Sequence, residues 1–346
     1  MLVYFANLFN LNIGVDFGSF KTRAVNEDLG NFYDKPTLIS IYKKDKNVLA
    51  LGEASREMVG RVPLGVEVLR PIQNSEINSN FVFELYVKDL IKEISEKNKL
   101  FKLVTKPTLF IPVNNDFTKA QLANYENSLK KEGVLKVHFL KKSLVISHGL
   151  NKKSQQKSAK LIIDMGYSKT DIGVIFNDVL VDGKTLNFGG NDINKLIYQR
   201  LIEEKKLQVS DENIENMKIS SLILYPNQYD TEKFEIIGKS TKTGLPHKVE
   251  MSYIDFREMV QPLIKSNFIN PLKSFINTFT ENISNDVYQN GVELVGGGSQ
   301  IYSLKLLLSK EFNMKFNVSK NPDRIILLGL KEVIKNKEIY TKLSFE

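Results

Sequence analysis

The chain has 346 residues, 42% of them apolar, and this length suits two domains with sizeable cores. It contains no cysteine, which excludes disulfides and thiol chemistry and fits a cytoplasmic protein, and no apolar run reaches the ~18 residues that span a bilayer. The formal charge of +8 suits an anionic partner, but the lysines are spread along the chain, so a solvated lysine-rich surface is the favoured explanation.

The first predicted element is a hairpin that occurs twice in the chain. Residues 13–22 read IGVDFGSFKT and residues 162–170 read IIDMGYSKT, and each copy has an apolar strand, a terminal Asp and a turn with Gly. Four residues recur at a displacement of 148 positions: Asp16, Gly18, Lys21 and Thr22 return as Asp164, Gly166, Lys169 and Thr170. The repeat predicts two similar halves.

Helices and strands alternate between and after the hairpins. Helical spacing of apolar residues predicts helices over 81–96, 117–132 and 192–204, and residues 108–113 read as a buried strand. Ser210 has the chemistry of a helix N-cap. This alternation predicts an α/β protein.

A glycine-rich turn follows the last predicted strand, at 291–295. The turn contains Gly296, Gly297, Gly298 and Ser299, and a helical run follows at 301–310. Such a turn offers free N–H groups to a phosphate or a ribose. Together with the two hairpins, it predicts nucleotide binding in a cleft between the halves.

These motifs resemble the actin, Hsp70 and sugar-kinase superfamily and, within it, the bacterial actin MreB family, in particular a divergent paralogue of wall-less bacteria. Residues 52–63 (GEASREMVGRVP), 70–71 (RP) and 243–246 (TGLP) carry the same resemblance. It implies an α/β actin-like fold, ribonuclease H-like and duplicated, around a nucleotide cleft. The implied domains are 1–150, with a small insert at about 33–75, and 151–346, with an insert at about 192–255.

The resemblance implies ATP or ADP with Mg²⁺ as the ligands. Asp16 and Asp164 would face each other and hold Mg²⁺ through its waters, since this ion keeps much of its hydration. The residues that would contact the nucleotide are Gly18, Ser19, Phe20, Lys21 and Arg23 in the first hairpin, Gly166, Tyr167, Ser168, Lys169 and Thr170 in the second, Glu215 and Lys218 at the ribose and adenine, and Gly296, Gly297, Gly298 and Ser299 in the glycine-rich turn.

Two departures from the family pattern concern hydrolysis. Tyr167 and Ser168 replace glycines in the second loop. Lys142 stands where the family has a Glu that orients the attacking water, and no Asp or Glu occurs from 133 to 163. We therefore expect ATP binding with impaired hydrolysis and no intact catalytic residue, with Asp171 as the remaining carboxylate in reach of a water. A catalytic role for His148 is not favoured.

Two function classes stay open. The favoured class is a cytoskeletal subunit that forms head-to-tail filaments for cell shape or helical-cell motility. The alternative is a catalytically active ATPase or a sugar-kinase-like phosphotransferase, which would need a carboxylate base. The expected partners are further copies of the chain and other MreB paralogues; a DNA-segregating filament stays an alternative, although no clustered basic motif indicates nucleic acid.

Two apolar segments predict contact with an anionic membrane surface. Residues 1–9 (MLVYFANLF) precede the first strand, and Leu100 and Phe101 lie among lysines where the family has a lipid-inserting loop. Apolar side chains beside lysines suit such a surface. Residues 1–9 also suit a packed strand, and the pattern alone does not decide between the two.

Overall fold

The computed structural model describes residues 11–26, 30–97, 106–150 and 158–345. The contacts divide the chain into two compact units. Unit 1 comprises the described residues of Met1–Ser154, Asp178–Val181 and Arg324–Glu346, and unit 2 those of Gln155–Asn177 and Asp182–Asp323. The domain limits and small inserts expected from the sequence stay predictions.

The described strands and helices alternate along much of the chain. The strands are β1 (Asn12–Phe17), β2 (Lys21–Asn26), β3 (Gly30–Pro36), β4 (Ile39–Tyr42), β5 (Val48–Leu51), β6 (Val66–Leu69), β7 (Ile72–Gln73), β8 (Glu76–Ile77), β9 (Thr108–Val113), β10 (Lys136–Lys141), β11 (Lys160–Met165), β12 (Thr170–Phe176), β13 (Val179–Leu186), β14 (Leu207–Gln208), β15 (Lys233–Ser240), β16 (Pro246–Ser252), β17 (Val292–Val295) and β18 (Phe316–Val318). The α-helices are α1 (Glu53–Glu57), α2 (Asn80–Lys97), α3 (Lys119–Lys131), α4 (Lys142–Gly149), α5 (Gly190–Lys205), α6 (Asp211–Ser221), α7 (Tyr253–Ile264), α8 (Asn270–Ile276), α9 (Glu281–Asn290), α10 (Leu304–Phe312), α11 (Ile325–Val333) and α12 (Lys337–Leu343). A π-helix at Lys265–Ile269 and 3₁₀ turns at Gly297–Gln300 and Pro322–Arg324 complete the set.

Unit 1 is built on a five-stranded sheet in the order β10-β9-β1-β2-β3. β1 is antiparallel to β2 and parallel to β9, and β9 is parallel to β10. The apolar residues of β1 and β9 are buried with one face of α2, including Ile13, Val15, Phe83 and Leu109. Smaller sheets, β5-β4-β6 and β7-β8, lie between β3 and α2 in the sequence.

Local side-chain chemistry sets where helices begin. The Thr118 hydroxyl accepts a hydrogen bond of 3.2 Å from the Gln121 N–H, and the Gln121 side chain accepts one of 2.7 Å from the Thr118 N–H. This capping box satisfies donors that the first turn leaves unpaired. The predicted helix at 117–132 therefore begins at Lys119. Ser210 caps α6 in the expected way, since its side chain accepts from the Asn213 N–H at 3.3 Å.

Helices α4 and α11, both in unit 1, pack so closely that their backbones are in contact. A Cβ added at Gly329 would overlap the Val145 carbonyl oxygen, and one added at Gly149 would overlap the Ile325 carbonyl oxygen. Gly14 on β1 likewise leaves room for Leu330 of α11. Glycine at these positions lets α11 pack closely on both α4 and the central sheet.

Unit 2 repeats the sheet order of unit 1. Its five strands run β18-β17-β11-β12-β13, with β11 antiparallel to β12 and parallel to β17. The centre of β11 is apolar and buried, and large aromatic side chains fill the surrounding core, among them Phe188, Phe256, Phe268 and Phe316. The duplication predicted from the two hairpins is confirmed at the level of the fold.

Within the described ranges, no helix is both long and apolar enough to cross a membrane.

Candidate functional site

The first hairpin, in unit 1, turns tightly at Gly18, Ser19 and Phe20. A Cβ at Gly18 would lie 2.6 Å from the Lys21 carbonyl oxygen, so the turn excludes a side chain there. Thr37, just after β3, holds the turn from one side. Its hydroxyl donates to the Gly18 oxygen at 2.6 Å, and its N–H donates to the Phe20 oxygen at 3.0 Å.

Ser19 at the tip of this turn is buried and anchored to the β7–β8 hairpin. Its hydroxyl accepts a hydrogen bond of 3.2 Å from the Ser75 N–H, and its carbonyl oxygen accepts one of 3.1 Å from Arg70. Ser75 itself has a positive φ of 63°, and its carbonyl oxygen accepts from the Tyr125 hydroxyl at 3.1 Å. The tip of the first loop is thus tied to two other elements of unit 1.

Arg23 and Lys21 follow the turn on β2 and both pair with Asp34 on β3. The Arg23 Nε lies 3.3 Å and the Lys21 Nζ 3.5 Å from Asp34 Oδ1. Asp16 lies opposite Arg23 in the register of β1 with β2. The structure therefore brings the predicted residues of the first hairpin together and adds an acidic partner from the next strand.

The second hairpin, in unit 2, places Asp164 opposite Asp171 in register. The loop closes by a hydrogen bond of 3.0 Å from the Gly166 N–H to the Lys169 oxygen, and Asp164, Ser168 and Lys169 are buried. Thr170 donates its hydroxyl to the Phe188 oxygen at 2.8 Å.

The N-terminus of α5 packs directly on this second loop. The Gly190 N–H donates to the Gly166 oxygen at 3.1 Å, and the Asn191 N–H donates to the Tyr167 oxygen at 2.7 Å. A Cβ at Gly189 would lie 2.5 Å from that same Tyr167 oxygen. Glycine at 189 thus lets the helix start approach the loop backbone.

The glycine-rich turn after β17 lies beside Asp164. Gly296 has a φ of 84°, and a Cβ there would overlap the Asp164 carboxylate. Ser299 is buried and donates its hydroxyl to the Gly296 oxygen at 2.7 Å. Gly297, by contrast, has no heavy atom within 4 Å of the position of a Cβ. Next to a buried carboxylate, the turn thus leaves open space on the Cβ side of Gly297.

Glu215 and Lys218 on α6 form an ion pair of 2.8 Å. Lys218 is buried and also donates to the Gly190 oxygen at 3.2 Å, while Asn194 donates to the same Glu215 oxygen at 2.6 Å. Burial lowers the pKa of the Lys218 amine, and the neighbouring Glu215 opposes that shift. Both residues predicted at the ribose and adenine therefore join α6 to the start of α5.

The residues predicted near the hydrolytic step lie in separate units. Lys142 is the first residue of α4, the preceding Lys141 makes no side-chain cap, and the first turn contains no acidic residue. Asp171 in unit 2 is buried and accepts a hydrogen bond of 2.5 Å from the Thr185 hydroxyl. His148 lies in the last turn of α4.

Several residues of these networks carry no sequence motif. Thr37, Ser75, Asn194 and Asp34 act on the loops from elsewhere in the chain, and only the fold brings them there. The family resemblance included Arg70 but assigned it no role.

Leu100, Phe101 and residues 1–9, which were predicted to contact a membrane, lie outside the described residues. Within the described ranges, no three Asp, Glu or His side chains cluster as metal ligands.

The two sheets of matching order, each with a hairpin whose first strand has Asp as its penultimate residue, define an actin-like fold. Solved structures agree. MreB5 of Spiroplasma citri bound to ADP superposes with a TM-score of 0.87 at 19% identity, over 96% of this chain and 98% of that one. The MamK double helical filament gives a TM-score of 0.77 at 16% identity, over 94% and 99% of the two chains.

The chain belongs to the MreB/Mbl protein family, whose model matches residues 10–342. Among its relatives, the cell shape-determining protein Mbl of Bacillus subtilis strain 168 is 24% identical over 331 residues, covering 96% of this chain and 98% of that protein. The cell shape-determining protein MreB of Escherichia coli K12 is 20% identical over 333 residues, covering 95% and 94%.

Proposed function

We propose that this chain is an ATP-binding cytoskeletal protein that polymerises into filaments supporting cell shape or helical-cell motility, with impaired ATP hydrolysis. The observation that carries the impairment is Lys142 at the start of α4, in a helix turn without any acidic residue. Family membership supports the cytoskeletal part, since two relatives are cell shape-determining proteins.

Nucleotide binding is supported by the backbone of the loops. The second hairpin and the glycine-rich turn combine close-packed glycines with the open backbone at Gly297. Backbone N–H groups and oriented turns make anion-binding concavities. Lys21, Arg23, Lys142 and Lys169 would add compensating positive charge for the phosphates. Structures of Spiroplasma citri MreB5 are bound to ADP and to AMPPNP, which supports the same ligand class here.

Asp16 and Asp164 are the residues that would hold Mg²⁺. Asp164 is the penultimate residue of the buried strand β11, and its carboxylate is buried against Gly296 in unit 2. One carboxylate from each hairpin fits an ion that keeps most of its waters. When bound, Mg²⁺ would neutralise charge on the phosphates. Their carboxylate oxygens are the donor type that such an ion prefers.

The charge at the start of α4 is the main argument for slow hydrolysis. A well-placed base contributes about 10²–10⁴-fold to a rate, which is roughly 3–5 kcal/mol of barrier. A protonated Lys142 cannot accept a proton from water, and an anion beside it favours its charged form. Its attraction to the γ-phosphate stabilises the ground and transition states alike, which does not raise turnover. Tyr167, with its ring in place of a glycine, would crowd the entry of water.

The positive end of the helix dipole at the N-terminus of α4 also favours an anion there. Lys141 and Lys142 place two positive charges at the N-terminus of α4, where the dipole disfavours each by about 0.3–1 kcal/mol. A bound phosphate would offset that cost.

The alternative is an active ATPase or a sugar-kinase-like phosphotransferase that uses another group. Asp171 is the carboxylate for this role, although it is buried and bonded to Thr185. Detection of wild-type phosphate release that depends on Asp171 would favour this alternative.

Filament formation is proposed head to tail between copies of the chain, with other MreB paralogues as further partners and no nucleic acid. A heterologous contact that does not close gives an open filament. MamK, a protein of the same fold, forms a double helical filament, which supports self-association here. The proposed location is the cytoplasm, with contact to an anionic membrane surface through Leu100 and Phe101.

One purified sample tests the proposal. We expect saturable ATP binding in titration calorimetry with millimolar Mg²⁺, filaments by electron microscopy and pelleting, and little phosphate release at matched polymer concentration. No ATP binding would refute the nucleotide assignment. Monomers at every concentration would refute the filament, and release as fast as that of a relative with the Glu would refute the impairment.

A further inference from the structure

Asp34 on β3 is shared by three positive side chains of unit 1. The Lys21 Nζ lies 3.5 Å and the Arg23 Nε 3.3 Å from its Oδ1 oxygen, and the Arg324 guanidinium lies 3.3 Å from its Oδ2 oxygen. These four residues together carry three positive charges and one negative charge. Three cations thus converge on the Asp34 carboxylate, and Arg23 also lies opposite a second carboxylate, Asp16.

Strand register explains why the cluster forms. Arg23 lies opposite Asp16 on β1 and opposite Asp34 on β3, so the three side chains form one row on the same face of the sheet. Gly14, two residues before Asp16, faces Leu330 of α11 on that same side. Arg324 directly precedes α11, which brings the third cation to the end of the row.

The three ion pairs differ in how far water reaches them. The Arg23 side chain is 13% exposed, that of Lys21 27% and that of Arg324 52%. Screened pairs of this kind are individually weak, so a ligand with several negative charges can compete for the same cations. A ligand of this kind would therefore compete with the Asp34 carboxylate for the same cations.

We propose that Asp34 is a positioning residue that draws Lys21 and Arg23 toward β3 and thereby restrains the affinity of the first loop for nucleotide phosphates. This inference rests on the proposed nucleotide function and adds a residue that sets its strength. Arg324 holds the second oxygen of the carboxylate, which keeps Asp34 oriented between the strand and α11. Asp34 should lower the affinity for nucleotide phosphates without abolishing it, because Lys21 and Arg23 stay beside the first loop.

Asp34→Asn tests the proposal, since it removes the charge and keeps the shape. In the full-length protein, titration calorimetry with ATP and Mg²⁺ should show Kd about three- to tenfold lower than wild type, as expected for removing one charge from partly screened surroundings. Adenosine, which lacks phosphates, should bind as in wild type. The matched control is Glu67→Gln, which breaks an exposed ion pair of 3.1 Å with Lys46 in the same unit and should leave both affinities unchanged.

A double-mutant cycle shows whether Asp34 acts through the cations. In an Arg23→Gln background, Asp34→Asn should change the ATP affinity less than it does in wild type, because one of the held cations is gone. Thermal unfolding of each variant confirms that it is folded. An equal effect of Asp34→Asn in both backgrounds would mean that the Asp34 charge acts on the phosphates only by long-range repulsion. The positioning role would then be wrong.

Other outcomes separate this inference from the proposed function. ATP binding by the wild type that Asp34→Asn leaves unchanged or weakens would overturn the inference alone. A gain for adenosine equal to that for ATP would also overturn it. No saturable ATP binding by the wild type would overturn the proposed function, and the inference with it.

Discussion

Lys218 donates a hydrogen bond of 3.2 Å to the carbonyl oxygen of Gly190, where a Cβ would lie only 3.0 Å from the lysine nitrogen. The Gly190 N–H in turn donates to the Gly166 oxygen of the second loop. A buried lysine on α6 is therefore two contacts away from the predicted phosphate loop. Its position depends on the glycine that begins α5.

Lys218→Met should destabilise the protein by about 2–3 kcal/mol. The change leaves Glu215 partly buried without its cation, and breaking a buried pair is costly because the remaining charge is uncompensated. Denaturant unfolding measures this loss. Lys195→Met, which breaks an exposed pair of 3.7 Å with Asp192 on α5, is the matched control and should cost under about 0.5 kcal/mol. Equal losses for the two variants would contradict the structural role of Lys218.

Lys142→Glu should raise phosphate release, by restoring a carboxylate at the start of α4 that can orient water. The gain should be partial, and larger when combined with Tyr167→Gly, which keeps the backbone oxygen that Asn191 bonds. A phosphate-release assay on polymerised protein measures it. Lys141→Glu changes the adjacent residue by the same charge and should give no comparable gain. A gain shared by both variants would point to charge alone.

Stability should fall in mild acid because of His138. This imidazole stacks on Phe110 at 4.8 Å between ring centroids and contacts Tyr340 of α12 at 5.0 Å. Burial, and secondarily the charge of Lys136, lowers the pKa of His138. The unfolded chain then takes up a proton before the folded one, so stability decreases as pH falls through the unfolded value of about 6.5.

Thermal unfolding at pH 8 and pH 5.5 measures this effect. His138→Phe keeps a ring in the stack and should flatten the pH dependence over that window, whereas His247→Phe, at an exposed site in unit 2, should retain the wild-type profile. An unaltered profile for His138→Phe would assign the acid sensitivity to other groups.

Replacing both Leu100 and Phe101 by Ser should reduce co-sedimentation with anionic liposomes. Insertion of large apolar side chains supplies the binding, and nearby lysines add about 1 kcal/mol each at such a surface. Leu64→Ser removes a fully exposed leucine elsewhere in unit 1 and should leave liposome binding intact. Unchanged liposome binding of the double variant would show that Leu100 and Phe101 do not form the membrane contact.

Sequence patterns predicted the parts of the fold that depend on local chemistry. Both hairpins, the duplicated sheets and the Ser210 cap follow from alternation, turn residues and capping, all of which act within a few residues. The partners of the site residues depend on distant chain segments instead. Asp34 meets Arg23 only because β3 pairs with β2 in one register, and a shift by one residue would turn it to the other face.

The role of Lys218 was hidden for a similar reason. Its spacing from Glu215 marks an ion pair on one helix, but its burial against Gly190 depends on how α6 packs on α5. Residues 324–345 belong to unit 1, although the residues just before them belong to unit 2. This assignment also depends on long-range contacts, and no local sequence pattern indicates it.

The glycine contact between α4 and α11 means that a probe near the C-terminal helix should detect movement of α4. Gly149 and Gly329 bring the two backbones into close contact, so a shift of α4 should move α11 as well. The Phe345 N–H extends the link by donating to the Phe139 oxygen at 2.9 Å. A displacement of Lys142 during nucleotide exchange would thus reach the last residues. Since the chain has no cysteine, a single Lys337→Cys dye would read that displacement as a fluorescence change without background labelling.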